Sequence, residues 1–226
     1  MATVTESPIL AERTMADLLE ELGNISPRRI LMNPPPGEAT EEDVLAVDAR
    51  TGLAPELIDG VLVEKIVGYA ESILACTLIE LLRRFIKPKR LGIVLGEGGT
   101  LRILLNQIRV PDVCFISWKR FPGEKLPKVP VPSLAPNLAI EILSVGNTPG
   151  EMARKLREYF EAGVELVWYI DPRKRTVEEF TAIDQRKSLG EDDVLEGGSV
   201  LPGFELPLRT LFAELDELPP DMIASN

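Results

Sequence analysis

Two stretches of the chain carry hydrophobic residues at intervals of three and four positions, the spacing of one face of an α-helix. In the first stretch, residues 69–86, the apolar stripe consists of Ile73, Leu74, Leu78, Leu81, Leu82 and Phe85. The second stretch starts at Thr148, has proline at the first helical position and ends at Gly163. We predict two amphipathic helices, each with one face packed on a core.

Shorter apolar runs predict β-strands in the first half of the chain. Residues 56–64 contain two such runs on either side of Asp59-Gly60, a strong signal for a tight hairpin. Three further runs, at 91–95, 100–105 and 109–117, are separated by polar or glycine-containing turns. They predict three more strands, arranged as a meander.

A parallel pair of strands is predicted in the second half of the chain. The runs 138–144 and 166–170 are apolar on both faces, as in buried central strands, and the second amphipathic helix lies between them. A strand, a helix and a strand in this order form a crossover, which joins parallel strands. Combined with the antiparallel hairpin, this crossover predicts an α/β (α+β) fold with a mixed sheet flanked by helices.

The first fifty residues have a different pattern. Thr14 begins a short amphipathic helix that ends at Gly23, and Thr40 begins a second helix that continues to about Asp48. The proline-rich segment 33–37 between them cannot be helical. We predict an N-terminal helical extension over residues 1–50, a main domain over 51–215 and a short tail over 216–226.

The chain contains no histidine among its 226 residues. Serine and cysteine nucleophiles activated by histidine, histidine-bound zinc and nucleases with a histidine base are therefore excluded. Any acid–base or metal chemistry must use carboxylates, lysine, tyrosine or arginine.

Net charge bears on the possible partners of the protein, and the cysteine content bears on its cellular location. The net charge of −11 argues mildly against a general coat for nucleic acids, although basic clusters at 83–90 and 173–175 leave room for a local groove. Cys76 and Cys114 lie in apolar surroundings, which predicts two buried, reduced thiols and a cytoplasmic protein. Residues 1–10 show no signal-peptide pattern, and no segment is apolar for long enough to span a membrane.

Two carboxylates stand inside apolar strands. Asp112 follows Pro111, and Glu141 interrupts the run 138–144. Because an isolated buried carboxylate costs several kcal/mol, each requires a cation or a hydrogen-bond network. A Mg²⁺ ion bound by both would satisfy them together, with water and phosphate oxygens as its other ligands.

Lys155 is the third candidate. It lies within the apolar stripe of the second helix, one turn from Met152 and Tyr159. From this position it could neutralise Glu141 or hold a phosphate against the metal. Alternatively, its aliphatic stem packs on the core and its ammonium reaches solvent.

These residues resemble a known superfamily. Pro111-Asp112, Glu141 in an apolar strand and a lysine shortly beyond it are similar to the PD-(D/E)XK nucleases, and more closely to their Uma-type branch of restriction endonucleases. Similar segments extend from about Pro34 to Leu211. They include Glu56-Leu57-Ile58-Asp59-Gly60, Glu141-Ile142-Leu143-Ser144, Lys155-Leu156-Arg157-Glu158-Tyr159-Phe160 and Leu166-Val167-Trp168-Tyr169-Ile170-Asp171-Pro172.

The resemblance implies a restriction-endonuclease-like core that hydrolyses DNA with Mg²⁺ or Mn²⁺. Asp112 and Glu141 would bind the metal, and Lys155 would stabilise the charge of the transition state. Glu71 is the best match for an additional catalytic glutamate, while Glu56 occupies a family motif position with either a catalytic or a structural role. A homodimer is the geometry expected for cutting both strands.

The chain also departs from the superfamily pattern. The usual lysine, two residues after the glutamate, is Leu143 here, so the triad is complete only if Lys155 reaches in from the helix. Many Uma-type members have a histidine near the first long helix, where this chain has Glu71. The alternative hypothesis is an inactive nuclease-fold protein that binds nucleic acid or a protein, with Asp112, Glu141 and Lys155 as a buried ion-pair network.

Overall fold

The computed structural model describes residues 13–66 and 68–216, in which two main sheets are combined with five α-helices. The helices are α1 (Met15–Glu21), α2 (Glu41–Thr51), α3 (Tyr69–Lys89), α4 (Pro149–Glu161) and α5 (Leu208–Ala213). The tail predicted over 216–226, apart from Asp216, and the signal-free segment 1–10 lie outside the described residues. No described helix is long and apolar enough to cross a membrane.

The helices begin where the sequence provides capping side chains. The hydroxyl of Thr14 accepts a hydrogen bond from the Asp17 N–H, and the Asp17 carboxylate accepts one from the Thr14 N–H. A box of the same kind begins α2. At the start of α4 the Thr148 hydroxyl accepts from the Glu151 N–H, 3.1 Å away. These starts agree with the sequence prediction, whereas α3 continues to Lys89, beyond its predicted end.

Thirteen short strands are described. In chain order they are β1 (Ile30–Leu31), β2 (Glu56–Ile58), β3 (Val61–Val63), β4 (Gly92–Gly96), β5 (Leu101–Leu104), β6 (Gln107–Arg109), β7 (Val113–Ser117), β8 (Leu138–Ile142), β9 (Leu166–Asp171), β10 (Thr176–Ala182), β11 (Gln185–Leu189), β12 (Val194–Glu196) and β13 (Glu205–Pro207). The predicted hairpin is confirmed as β2–β3, with Asp59 and Gly60 at positive φ in the turn.

The larger sheet has the strand order β11-β10-β9-β8-β7-β4. Strands β8 and β9 are parallel and are joined through α4, while the other neighbours are antiparallel. Leu74, Leu78 and Leu82 of α3 pack on one face of this sheet, and Leu156 and Tyr159 of α4 pack on the other. The predicted mixed sheet with flanking helices is therefore confirmed.

The smaller sheet has the order β1-β3-β2-β6-β5 and corrects one prediction. The single strand predicted over 109–117 is two strands in two sheets, because β6 ends at Arg109 and β7 begins at Val113. Pro111 lies between them and has no N–H for a strand ladder, so the chain can leave one sheet and enter the other there. The predicted meander is wrong, since β4 pairs with β7 and not with β5.

Residues before position 50 pack against the β2–β3 hairpin. Strand β1 pairs antiparallel with β3, and Leu18 and Leu22 of α1 share a core with Val61 and Val63. In the hairpin turn, a Cβ at Gly60 would overlap the main chain of Gly37, so only glycine permits this close approach. A boundary between an extension and a nuclease-like domain at residue 50 stays a prediction.

The two cysteines differ in exposure. Cys114 is buried in β7, where burial raises the pKa of its thiol to about 12. Cys76 is exposed, so the prediction of two buried thiols is wrong for this residue. Its position on α3 lies about 140° around the helix from Glu71 and away from the stripe formed by Leu74 and Leu78.

Candidate active site

The four residues singled out from the sequence line one cleft, which lies at one end of β7 and β8 in the larger sheet. Asp112 directly precedes β7, Glu141 belongs to β8, Lys155 lies on α4, and Glu71 lies in the first turn of α3. The rest of the cleft is lined by Arg29, Lys65, Ile66, Ile142, Ser144 and Asn147.

The pairing of β7 with β8 brings the two strand carboxylates to the same end of the sheet. Val113 lies opposite Ile140 in the antiparallel register, so Asp112 comes next to the end of β8. The Ile142 N–H donates to Asp112 Oδ2 at 2.6 Å and fixes this carboxylate. The carboxylate of Glu141, one residue earlier, points to the α4 side of the sheet, where it meets Lys155.

Each of the two carboxylates has a lysine counter-ion. Lys65, which lies between β3 and α3, places its Nζ 2.7 Å from Asp112 Oδ1. Lys155 places its Nζ 3.0 Å from Glu141 Oε2, and the Tyr159 hydroxyl donates to Glu141 Oε1. Both oxygens of each carboxylate therefore have a partner within the protein.

Lys155 is held from a second side by Glu56. Its Nζ lies 3.1 Å from Glu56 Oε1, and only 2% of the lysine side chain is exposed. The other oxygen of Glu56 lies 2.7 Å from an Arg109 nitrogen, and Arg109 in turn pairs with Glu158. Glu158 completes the chain of charges through Arg154 on the same helix, at 2.6 Å. Lys155 is thus the centre of a buried network that joins the hairpin, both sheets and α4.

Burial and pairing shift the pKa values of this network in opposite directions. Burial raises the pKa of Glu141, and the positive charges of Lys155 and Lys65 offset the rise only in part. Burial also raises the pKa of Glu56, but the positive charges of Lys155 and Arg109 outweigh this effect and hold the pKa of this carboxyl well below its usual value. Burial lowers the pKa of Lys155, but the negative charges of Glu141 and Glu56 outweigh this effect, so the pKa of the lysine is raised. The lysine and Glu56 are therefore charged at neutral pH.

The donor set of the cleft suits a hard cation. Asp112, Glu141 and Glu71 offer only oxygen, which Mg²⁺ and Mn²⁺ prefer, and histidine is absent from the sequence. Within residues 13–66 and 68–216, no three carboxylate or cysteine side chains are close enough to hold a metal by themselves. The cleft thus fits a cation that takes one or two carboxylates and fills its other positions with water and phosphate oxygens.

A family model described as "Putative restriction endonuclease", that of Uma2, matches residues 41–209. The chain belongs to the Uma2 family. The resemblance drawn from its motifs is thereby confirmed. The Uma2 match includes Glu56, Glu71, Asp112, Glu141 and Lys155, so the whole candidate set lies inside it.

Solved structures are also similar to this chain. One of them is the crystal structure of "a putative nuclease belonging to DUF820" from Anabaena variabilis, 21% identical in sequence, with a TM-score of 0.65 over 73% of this chain and 93% of the other. At this identity the likeness shows the fold alone. No curated protein matches the sequence significantly.

One wall of the cleft comes from outside the matched Uma2 region. Arg29 forms two hydrogen bonds with the Glu151 carboxylate, at 2.8 and 3.0 Å, and both side chains are buried. Glu151 also accepts from Asn147, whose side-chain oxygen accepts from the Ser144 N–H. The segment before α2 therefore helps to position the loop between β8 and α4.

Sequence reasoning missed three cations of the site: Lys65, Arg109 and Arg29. The sequence did contain a signal for Arg109. This residue lies at a predicted strand position between the apolar residues Ile108 and Val110, so its charge requires a partner, as the charge of Asp112 does. Lys65 follows the hairpin in a segment with no periodic pattern. Nothing in the sequence near Arg29 points to a partner on α4.

Proposed function

We propose that the protein is a metal-dependent endonuclease that hydrolyses DNA phosphodiester bonds in the cleft formed by Glu71, Asp112, Glu141 and Lys155. One observation carries the proposal: side chains from β8, α4 and the start of β7 converge there in a member of a family described as restriction endonucleases. Two carboxylates and a lysine together at one end of a sheet are suited to phosphodiester hydrolysis with a hard cation.

Asp112 and Glu141 would hold Mg²⁺ or Mn²⁺. The bound ion would supply Lewis acidity at the phosphoryl oxygens and a nucleophilic water at neutral pH. Lys155 stays protonated between Glu141 and Glu56 and directs its positive charge towards the cleft, where negative charge develops during phosphoryl transfer. Glu71, at the start of α3, would be the additional catalytic carboxylate.

The test is cleavage of supercoiled plasmid, single-stranded DNA and RNA by the purified chain in Mg²⁺, Mn²⁺ or EDTA. The proposal expects nicked or linear plasmid with either metal and intact plasmid with EDTA. A folded protein that cuts no substrate under any of these conditions would contradict it, and preferential cutting of RNA would contradict the choice of DNA.

A second candidate function is a catalytically inactive nuclease fold that binds nucleic acid or a protein. It is favoured by the pairing of two of the cleft carboxylates, since Asp112 and Glu141 already have lysine counter-ions. A protein that binds DNA in the presence of EDTA but never cuts it would support this candidate.

DNA binding needs local positive charge because the chain as a whole is acidic. Five exposed cations lie in the last turns of α3 and directly after the helix, and we call them the α3 basic cluster: Arg83, Arg84, Lys87, Lys89 and Arg90. A groove beside this cluster is also lined by Trp118 and Leu126, on which an unpaired base could stack. The cluster and the cleft lie at opposite ends of α3.

Neutralising three of the five cations in the α3 basic cluster should weaken DNA binding and leave the protein folded. In the triple variant Arg83→Gln, Lys87→Gln, Arg90→Gln, the slope of log K against log salt should fall by about 2 to 3, because each phosphate contact contributes about 0.9. Fluorescence anisotropy with a labelled duplex over a salt series in EDTA measures this slope.

A matched control removes the same charge elsewhere. The variant Arg186→Gln, Lys187→Gln, Arg209→Gln neutralises three exposed cations that belong neither to this groove nor to the second basic cluster at 173–175. Equal slopes for the two triple variants would show that only net charge matters and that the cluster is not a binding surface.

Assembly and location stay predictions. A homodimer is proposed because two like clefts would cut both strands of a duplex. A cytoplasmic setting is proposed from the reduced state expected of the two cysteines.

A further inference from the structure

Lys65 is a second lysine of the cleft that neither the family resemblance nor the sequence pattern singled out. It lies in the connection between β3 and α3, and its Nζ donates to the carbonyl oxygen of Val110 as well as pairing with Asp112. Its side chain is 13% exposed, against 2% for Lys155. Lys65 therefore sits nearer the mouth of the cleft than the lysine of the predicted triad.

Each oxygen of the Asp112 carboxylate has one partner within the protein. Oδ2 accepts the Ile142 N–H at 2.6 Å, an interaction that the β7–β8 pairing maintains. Oδ1 lies 2.7 Å from Lys65 Nζ, at the distance of a charge-assisted hydrogen bond. A divalent cation on Oδ1 would lie close to this ammonium, and the two positive charges would repel each other.

The two lysines differ in how firmly they are held. Lys155 lies between two carboxylates, Glu141 and Glu56, so it keeps a partner on Glu56 even when Glu141 turns to a metal. Lys65 has a single carboxylate partner, Asp112, among the described residues. A divalent ion on Asp112 would repel the Lys65 ammonium at close range. The Lys65 ammonium can move away from the metal, because its flexible side chain starts in a connecting segment and reaches the open side of the cleft.

We propose that Lys65 is the internal counter-ion that a divalent metal displaces from Asp112, and that the released ammonium then binds the phosphate of the substrate. This inference rests on the proposed function and adds a phosphate-binding residue to it. In the absence of metal, the Lys65 ammonium neutralises the Asp112 carboxylate. In its presence, the same charge becomes available to the polyanionic substrate.

The test compares wild type with Lys65→Met, which keeps the aliphatic stem and removes the charge. Titration calorimetry with Mn²⁺, without nucleic acid, should show at least about 10-fold tighter binding to the variant, because no ammonium competes for Asp112 Oδ1. Cleavage of plasmid at saturating Mn²⁺ should nevertheless be at least about 10-fold slower, because the phosphate loses a cation. Thermal unfolding should show a larger gain in Tm on adding Mn²⁺ for Lys65→Met than for wild type.

The control is Arg209→Met, which removes an arginine–aspartate pair that is exposed on both sides and should leave metal affinity and cleavage unchanged. Mn²⁺ affinity in Lys65→Met that equals or falls below that of wild type overturns the inference, as does undiminished cleavage. If wild type binds Mn²⁺ more weakly than Lys65→Met but cuts nothing, the displacement holds and the proposed nuclease function fails. A protein that cuts DNA while Lys65→Met shows unchanged metal affinity keeps the function and loses the inference.

Discussion

Replacing Asp112 with asparagine should reduce metal-dependent DNA cleavage by more than about 100-fold. Mutating a residue that only hydrogen-bonds to a metal ligand typically lowers metal affinity or activity by about 10- to 100-fold, and Asp112 is proposed as a ligand itself. The amide oxygen of the new side chain can still accept the Ile142 N–H, so the β7–β8 geometry is maintained. The variant loses the negative charge that would hold Mg²⁺. The measurement is the rate of plasmid nicking in saturating Mg²⁺, together with Mn²⁺ affinity by calorimetry.

A matched control separates the metal site from charge in general. Asp192→Asn removes a carboxylate that is 84% exposed, pairs with Arg209 and does not line the cleft, so this variant should cut at the wild-type rate. If Asp112→Asn also cuts at that rate, Asp112 is a structural residue and the cleft is not the catalytic site. A lower Tm alone does not distinguish the two functions, because Asp112 also pairs with Lys65.

Replacing Arg109 with methionine should lower the free energy of unfolding by about 3 to 5 kcal/mol, a large fraction of the roughly 5 to 15 kcal/mol typical of native proteins. Arg109 is 1% exposed and pairs with both Glu56 and Glu158. Its removal leaves buried carboxylates with less positive charge around them, and methionine fills the space without supplying hydrogen bonds. Urea unfolding followed by circular dichroism measures the loss.

The exposed pair of Arg84 with Glu80 provides the contrast. Arg84 is 74% exposed, so Arg84→Met should cost only about 0 to 1 kcal/mol. If Arg109→Met is equally mild, the buried network contributes no net stability. Such a result would mean that water enters the network when the arginine is removed.

The cost of Arg109→Met should also depend on pH. The pKa of Glu56 lies below its usual value of 4.5 in the folded protein, because Lys155, Arg109 and Lys65 outweigh its burial. Its ionised form therefore stabilises the fold above pH 4.5, and this contribution is lost as the pH falls towards the folded-state pKa. The difference between wild type and Arg109→Met should shrink in unfolding experiments below pH 4.5. If the difference in unfolding free energy stays constant with pH, Arg109 stabilises the protein through packing and not through its charge.

The local elements and the identity of the candidate carboxylates could be predicted from the sequence alone. The β2–β3 turn requires positive φ at Asp59 and Gly60, and the start of α4 requires a hydroxyl at Thr148, so both can be recognised from a few neighbouring residues. The crossover from β8 through α4 to β9 follows from handedness and segment length. The charges of Asp112 and Glu141 stand out because apolar strands surround them.

The pairing of the strands, and the cation that each carboxylate meets, depend on tertiary packing. The residues between Arg109 and Val113 have the apolar pattern of one strand, and the change of sheet there depends on partners elsewhere in the chain. Arg109 meets Glu158 across 49 residues, and Arg29 meets Glu151 across 122. Such pairs leave no periodic pattern in the sequence, because an ion pair depends on how separate elements pack together and not on the residues next to either charge.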